Sequence, residues 1–308
     1  VIVKGIKPTS YTQVVMTAIE VGVLVVVIVA AVIEYAGRPA HLLSWHSFAI
    51  TDFTPALFAT GALTALFFFW GWDVTLNLTE ETRDAAHAPG RGALVSMVIV
   101  LLLFMTFALA CLLVLSDAEI ARSSTNVVFA LADKLFPRPW SYLAVLAVML
   151  STIGTLETSI LQFTRTMYAK GRDGALHPRY ALLHRSWKTP WVATGVIVVI
   201  GLVLLFASSY FPSVNVIIKD SVNAIGFQVA CYYSLTGFAC MWHFRKTALD
   251  SVDRFLLLFL WPAASASFLV FIALYSIPTF DLTTNLVGLG GIAIGVIPWA
   301  LNLHRARH

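Results

Sequence analysis

Eight long apolar runs separated by short polar connections organise this sequence: residues 13–33, 56–76, 93–115, 140–163, 191–211, 222–243, 255–275 and 286–303. Each is close to the roughly 20 residues that a helix needs to cross a bilayer. None shows the alternation of a barrel strand. The pattern predicts an all-α polytopic membrane protein with eight transmembrane helices and no separate soluble domain.

Departures from the apolar pattern mark where chemistry would sit. In the second run the aromatic string Phe67, Phe68, Phe69 and Trp70 leads directly into Gly71, Trp72 and Asp73. A glycine beside an acid at membrane depth is tolerated only where it faces protein or a water-filled cavity. The stretch therefore predicts a helix break and a candidate binding site. The first run contains one charge, Glu20, which is either an ionisable site facing the bundle or a carboxyl paired with an internal polar group. In the fourth run Ser151, Thr155, Thr158, Gln162 and Arg165 recur at steps of four and three, a polar stripe that lipid cannot satisfy. The stripe is either glue between helices or the wall of a substrate or cation path, with Thr155, Thr158 and Ser159 offering hydroxyl ligands. Glu157 lies about 100 degrees round the helix from Thr158. Residues 126–137, NVVFALADKLFP, read as a short amphipathic helix or a covering loop, and Trp45, His41 and His46 as an interfacial connection.

Composition agrees and narrows the function classes. Of 308 residues, 59% are hydrophobic and 12% charged, against about a quarter charged in a soluble domain; the mean hydropathy is +0.83. The net charge of +4 is topogenic and does not point to nucleic acid: fourteen of the 20 Lys and Arg residues fall in one set of alternate connections and five in the other, with Arg165 at the inner end of a span. The positive-inside rule then places both termini in the cytoplasm. Cys111, Cys231 and Cys240 lie within spans without metal-ligand spacing, so no metal or cofactor is expected. The run GLGGIAIG lacks the Lys-Ser/Thr of a phosphate loop. A channel would need a continuous polar pore, but polar groups are confined to the first, second, fourth and sixth runs. An enzyme would need a nucleophile and base together, whereas all eight histidines lie in loops or at span ends. A transporter is expected, with a channel or a non-transporting membrane scaffold as the alternatives.

Four segments sharpen this expectation: GIKPTSYTQVVMTAIEV at 5–21, GWDVTLNLTEETRDAAHAPGRGALVS at 71–96, TRTMYAKGRDGALHP at 164–178 and KTPWVATGV at 188–196. Together they resemble the fifth, sixth, eighth and ninth helices of the amino acid-polyamine-organocation permeases. The resemblance implies a LeuT-like inverted-repeat fold whose substrate site lies at mid-membrane beside broken helices. In that register the eight runs are similar to family helices five to twelve, and the first four are missing. Residues 1–36 would end the first repeat, 55–246 would form the second, and 253–308 would be two accessory helices, all within one transmembrane domain, 1–308. The resemblance also implies secondary active transport of an amino acid or related amine in the cell membrane, by proton or sodium coupling or by exchange. Phe67 matches an aromatic gate, and Phe69, Trp70, Gly71 and Trp72 match unwound backbone that contacts substrate. Asp73 matches an acidic position after the glycine, and Glu20 stands where proton-coupled members carry a lysine. Together with Glu157 these two acids are the candidates for gating and coupling.

Overall fold

The computed structural model describes residues 6–42, 44, 49, 53–210 and 213–305, and every described element is helical. Trp45 and His46 lie outside these residues. Six helical stretches are long and apolar enough to cross a membrane: Thr9–Tyr35, Ala88–Val114, Tyr142–Arg172, Trp191–Ser208, Asn215–Phe244 and Val252–Thr279. Pro55–Phe68 and Leu282–Ile297 are shorter apolar helices. The helices fall into two compact units, and the chain passes from one to the other at Trp70–Gly71.

The first unit holds α1 (Ile6–Tyr35), α3 (Val74–Asn77), α4 (Ala88–Val114), α5 (Asp117–Ser123), α6 (Val127–Leu135), α7 (Tyr142–Arg172) and α8 (Trp191–Ser208). Helix α1 packs against α4, α6 and α7, and α7 also carries α3 and α8. One core joins Val27 and Ala31 of α1, Ala110, Cys111 and Val114 of α4, Leu131 and Ala132 of α6, and Ala144 of α7. These are mostly small side chains, which let apolar helices approach closely in a medium that supplies no hydrophobic drive between them. In contrast, Leu202, Val203, Leu204, Leu205 and Phe206 of α8 are all exposed. Apolar exposure all round a helix suits contact with lipid or with further apolar protein surface.

The C-terminus of α4 shows how the backbone is satisfied at the end of a span. A helix leaves its last four carbonyls without intrahelical partners, and here each is met. Cys111 O accepts from the Leu115 N–H at 2.8 Å and Leu113 O from the Ala40 N–H at 2.7 Å. Leu112 O meets His41 Nδ1 at 2.9 Å, and Val114 O accepts from Lys134 Nζ at 2.8 Å. Lys134 is itself paired with Glu119, which closes a capping box with Ser116 at the start of α5. The Ser116 backbone N–H, then Lys134, holds the Glu119 carboxyl down at about 2.

His41 gives this cap a pH dependence. Its other nitrogen, Nε2, faces Asp117 Oδ1 at 3.1 Å, and both rings of contacts are made with acceptors, so both bonds form only in the doubly protonated imidazolium. The Leu112 carbonyl, followed by Asp117, raises the His41 pKa above the ordinary 6.5. Stability from this clasp is fully present below the ordinary value and is lost as pH rises through the raised one. Hydrogen exchange at the Ala40 amide, corrected for its intrinsic rate, is expected to lose protection over that range. In His41→Gln the protection should become independent of pH.

The second unit holds α2 (Pro55–Phe68), α9 (Val214–Phe244), α10 (Val252–Phe255), α11 (Trp261–Ser276) and α12 (Leu282–Arg305). Helix α9 packs against α2, α11 and α12. Glycines set these approaches: a Cβ on Gly226 would lie 2.9 Å from the Leu63 carbonyl oxygen, and one on Gly237 would lie 3.0 Å from Ala266 Cβ. Leu63, Phe227, Ala230 and Ala273 form the core beside them. Residues 256–260 form a π-helical turn joining α10 to α11 immediately before Pro262. Proline cannot donate to the carbonyl four residues earlier, and the wider turn accommodates that missing bond.

The elements differ from the apolar runs in three informative ways. Helix α9 begins at Val214, well before the run at 222, because the Ser213 hydroxyl caps the Val216 N–H at 3.3 Å. Lys219 and Asp220 therefore stand on a helix. Helix α7 continues to Arg172, beyond the run's end at 163, carrying its last turns into polar surroundings. Hydropathy marks where a helix meets lipid, whereas the backbone ladder continues as long as its hydrogen bonds do. The run 56–76 forms no single helix: it divides into α2 and α3, with a turn between them.

Candidate functional site

The turn lies where the sequence places the glycine and the acid. At the end of α2 the Phe69 N–H still reaches Ala65 O at 3.2 Å, but the Trp70 N–H turns back to Phe67 O at 3.1 Å. Gly71 has φ +115°, a conformation that a side chain disfavours, and Val74 N–H then bonds Gly71 O at 3.1 Å to start α3. Thr75 ties the turn down, its hydroxyl lying 2.8 Å from Trp72 O and 3.2 Å from Pro89 O.

On the α2 side, Phe67 and Trp70 lie 6.3 Å apart between ring centroids, and Trp70 Nε1 donates to the Tyr232 hydroxyl at 2.9 Å. Tyr232 is in turn 4.4 Å from Tyr233. Aromatic faces joined by hydroxyl and indole groups suit an ammonium or an aliphatic amine.

On the α3 side, acidic groups meet α7 one after another. Glu20 of α1 lies beside the Ser151 hydroxyl. Gln13 Nε2 of α1 donates to Glu157 Oε2 at 3.1 Å. Gln162 Nε2 donates to Asp73 Oδ2 at 2.9 Å. Farther along, Arg165 Nε donates to Glu81 Oε1 at 2.7 Å, and Arg172 holds Glu80 with bonds of 2.8 and 3.0 Å. The Arg172 contact keeps the Glu80 carboxyl below the usual range. A cleft of about 740 Å³ opens beside these pairs, lined by Leu76, Thr79, Glu80, Glu81, Arg165 and Lys188 among others. Carboxylates in the apolar part of α7 thus meet neutral amides and hydroxyls, while those at its C-terminal end meet guanidinium groups.

The polar stripe of α7 is only partly packed. Gly154, Glu157, Leu161 and Thr164 are buried, whereas Ser151, Thr155 and Ser159 are exposed and Thr158 is half-buried. Gly154 decides this, because Gln13 Oε1 and Met16 of α1 would lie within 3.3 and 3.5 Å of a Cβ there. Thr158 spends its hydroxyl on Gly154 O at 2.8 Å and also meets Gln13 Nε2 at 3.1 Å. Among the described residues, no hydrogen bond joins Thr155, Thr158 and Ser159 into a common ligand set. Gln13 did not stand out in the sequence. Its signal is its position two turns before Glu20, with Met16 between them on the same helical face.

Comparison with known proteins shows the family to which the chain belongs. The model of the amino acid permease family matches residues 1–301. The chain is 23% identical over 234 residues to the serine/threonine exchanger SteT of Bacillus subtilis, an overlap of 75% of this chain and 51% of that protein. It is 27% identical over 270 residues to the low-affinity putrescine importer PlaP of Escherichia coli, covering 83% of this chain and 56% of the importer. It is 26% identical over 191 residues to the branched-chain amino acid permease BcaP of Bacillus subtilis, covering 62% and 39% respectively. The chain therefore spans about half the length of the curated relatives it matches. It belongs to the amino acid permease family, within the amino acid-polyamine-organocation superfamily, and is a multi-pass membrane protein.

Proposed function

We propose that this protein acts in secondary active transport of an amino acid or related amine by alternating access, coupled to protons or working by exchange. In this reading the chain supplies helices five to twelve of a LeuT-like fold. Both termini are cytoplasmic. The observation that carries the reading is the helix break at 69–73, which has an aromatic cluster before it and a hydrogen-bonded acid after it. Phe67, Phe69, Trp70, Gly71 and Trp72 contact the substrate, and backbone groups freed at such a break suit its carboxylate and ammonium groups. The named relatives carry serine and threonine, putrescine or branched-chain amino acids, and those solutes are the first to test.

Asp73 acts at the gate in this reading, because its Gln162 bond ties the end of the break to α7. In proteoliposomes, Asp73→Asn is expected to insert normally but to slow uptake of the carried solute and flatten its pH dependence. Saturable uptake with counterflow separates a carrier from a channel. Wild-type rates at every pH in Asp73→Asn would remove Asp73 from the mechanism.

A further inference from the structure

The Glu157 carboxyl is held unlike any of the carboxylates paired with arginine. It is 8% exposed in the middle of α7, a helix that spans the membrane. An acid at the centre of a spanning helix costs about 2.5–3.5 kcal/mol even on the mildest insertion scale, so a lone charge there calls for a counter-ion. Among the described residues Glu157 has none. Glu20, on α1, lies beside the Ser151 hydroxyl, and Asp73, beside α3, is hydrogen-bonded to Gln162. Arg165, two turns along α7, is committed to Glu81. From α6, Asp133 is committed to Arg138 and Lys134 to Glu119. Helix α8 contributes no ionisable side chain, and the turn Pro178–Ala181 carries Arg179 and Tyr180 at the far end of α7.

The partner that Glu157 does have is suited to two protonation states. Gln13 Nε2 lies 2.8 Å from Gly154 O, 3.1 Å from Glu157 Oε2 and 3.1 Å from Thr158 Oγ1. An amide NH₂ has two hydrogens for those three acceptors. With Glu157 ionised, one hydrogen serves the carboxylate. With Glu157 protonated, its remaining carbonyl oxygen can still accept from Gln13, but the bond loses the assistance of the negative charge. A guanidinium in place of Gln13 would hold the ionised form alone, whereas an amide can hydrogen-bond either form. The proton is gained and lost at one carboxyl oxygen, with no other bond made or broken.

We propose that Glu157 is a reversible proton-binding site, and that its proton weakens the Gln13 hydrogen bond that ties α1 to α7. Its role as the coupling site rests on the transport reading above, whereas its titration does not. Infrared difference spectra of the whole chain in lipid nanodiscs test the titration directly. A carbonyl stretch of protonated carboxylic acid should appear on acidification and vanish on return to alkaline pH. The chain has 16 Asp and Glu residues, so the Glu157 component is the one missing from the Glu157→Gln spectrum and kept in Glu20→Gln. Gln13→Leu, which removes the amide without adding charge, should keep a Glu157 band but shift the pH at which it appears. Wild-type and Glu157→Gln spectra that differ in no pH-dependent carboxylic acid component would overturn the proposal. Proteoliposomes then read the coupling: Glu157→Gln should lose accumulation driven by a pH gradient while retaining counterflow. If the band titrates but no solute is carried by any form, the proton site stands and the transport reading fails.

Discussion

Gly226→Ala is expected to separate α2 from α9 and to cost about 1–3 kcal/mol, the usual penalty for overfilling a close-packed contact. The new Cβ would meet Leu63 O at 2.9 Å and the Leu63 side chain at 3.0 Å. The nearest atom belongs to the backbone of a helix, so no rotamer change relieves the clash. Gly195→Ala in α8 is the control, because a Cβ there meets nothing within 4 Å and alanine is the better helix former. Thermal unfolding in detergent should show a lowered midpoint for the first substitution and none for the second. Equal midpoints would mean that α2 and α9 do not approach this closely.

Arg165→Gln is expected to have the second large effect. The Arg165 side chain is 12% exposed and its partner Glu81 is 32% exposed, with contacts of 2.7 and 3.4 Å. A hydrogen bond to a charged group is worth about 1.5–3 kcal/mol, and the partial exposure of Glu81 places this pair in the lower part of that range. Arg172→Gln should cost much less, because the Arg172–Glu80 pair is open to water on both sides. Denaturant unfolding of the two variants should rank them in that order. Exchanging the charges, Arg165→Glu with Glu81→Arg, should recover part of the loss, as coupling between partners requires. No recovery would show that Arg165 acts through something other than Glu81.

The helix break was legible because it depends on local chemistry. Gly71 accepts a positive φ at little cost, the aromatic run ends there, and an acid follows; all three facts lie within seven residues. The amphipathic reading of 126–137 likewise became α6, Val127–Leu135, which places Leu131 and Ala132 in the core. Six of the eight apolar runs coincide with helices long enough to cross a membrane, because transfer into lipid is a property of each side chain. Their ends were less legible: Ser213 extends α9 through a hydroxyl cap, and polar residues extend α7 where hydropathy has already fallen.

Only the tertiary structure decided which face of each helix is packed and which partner each acid takes. In a soluble protein the apolar face points inward, but in lipid both faces are apolar, so hydrophobic periodicity loses its meaning. On α7 the packed face is set by Gly154, where α1 brings Gln13 and Met16 close, and Glu157 is drawn in with it. The four carbonyls at the end of α4 are met from as far away as Ala40 and Lys134. The sequence by itself determined where the chain meets lipid and where its backbone must turn, because those energies belong to single residues and their neighbours. Whether an acid meets an arginine or an amide was left to the packing of distant helices, because a hydrogen bond depends on the position of two groups at once.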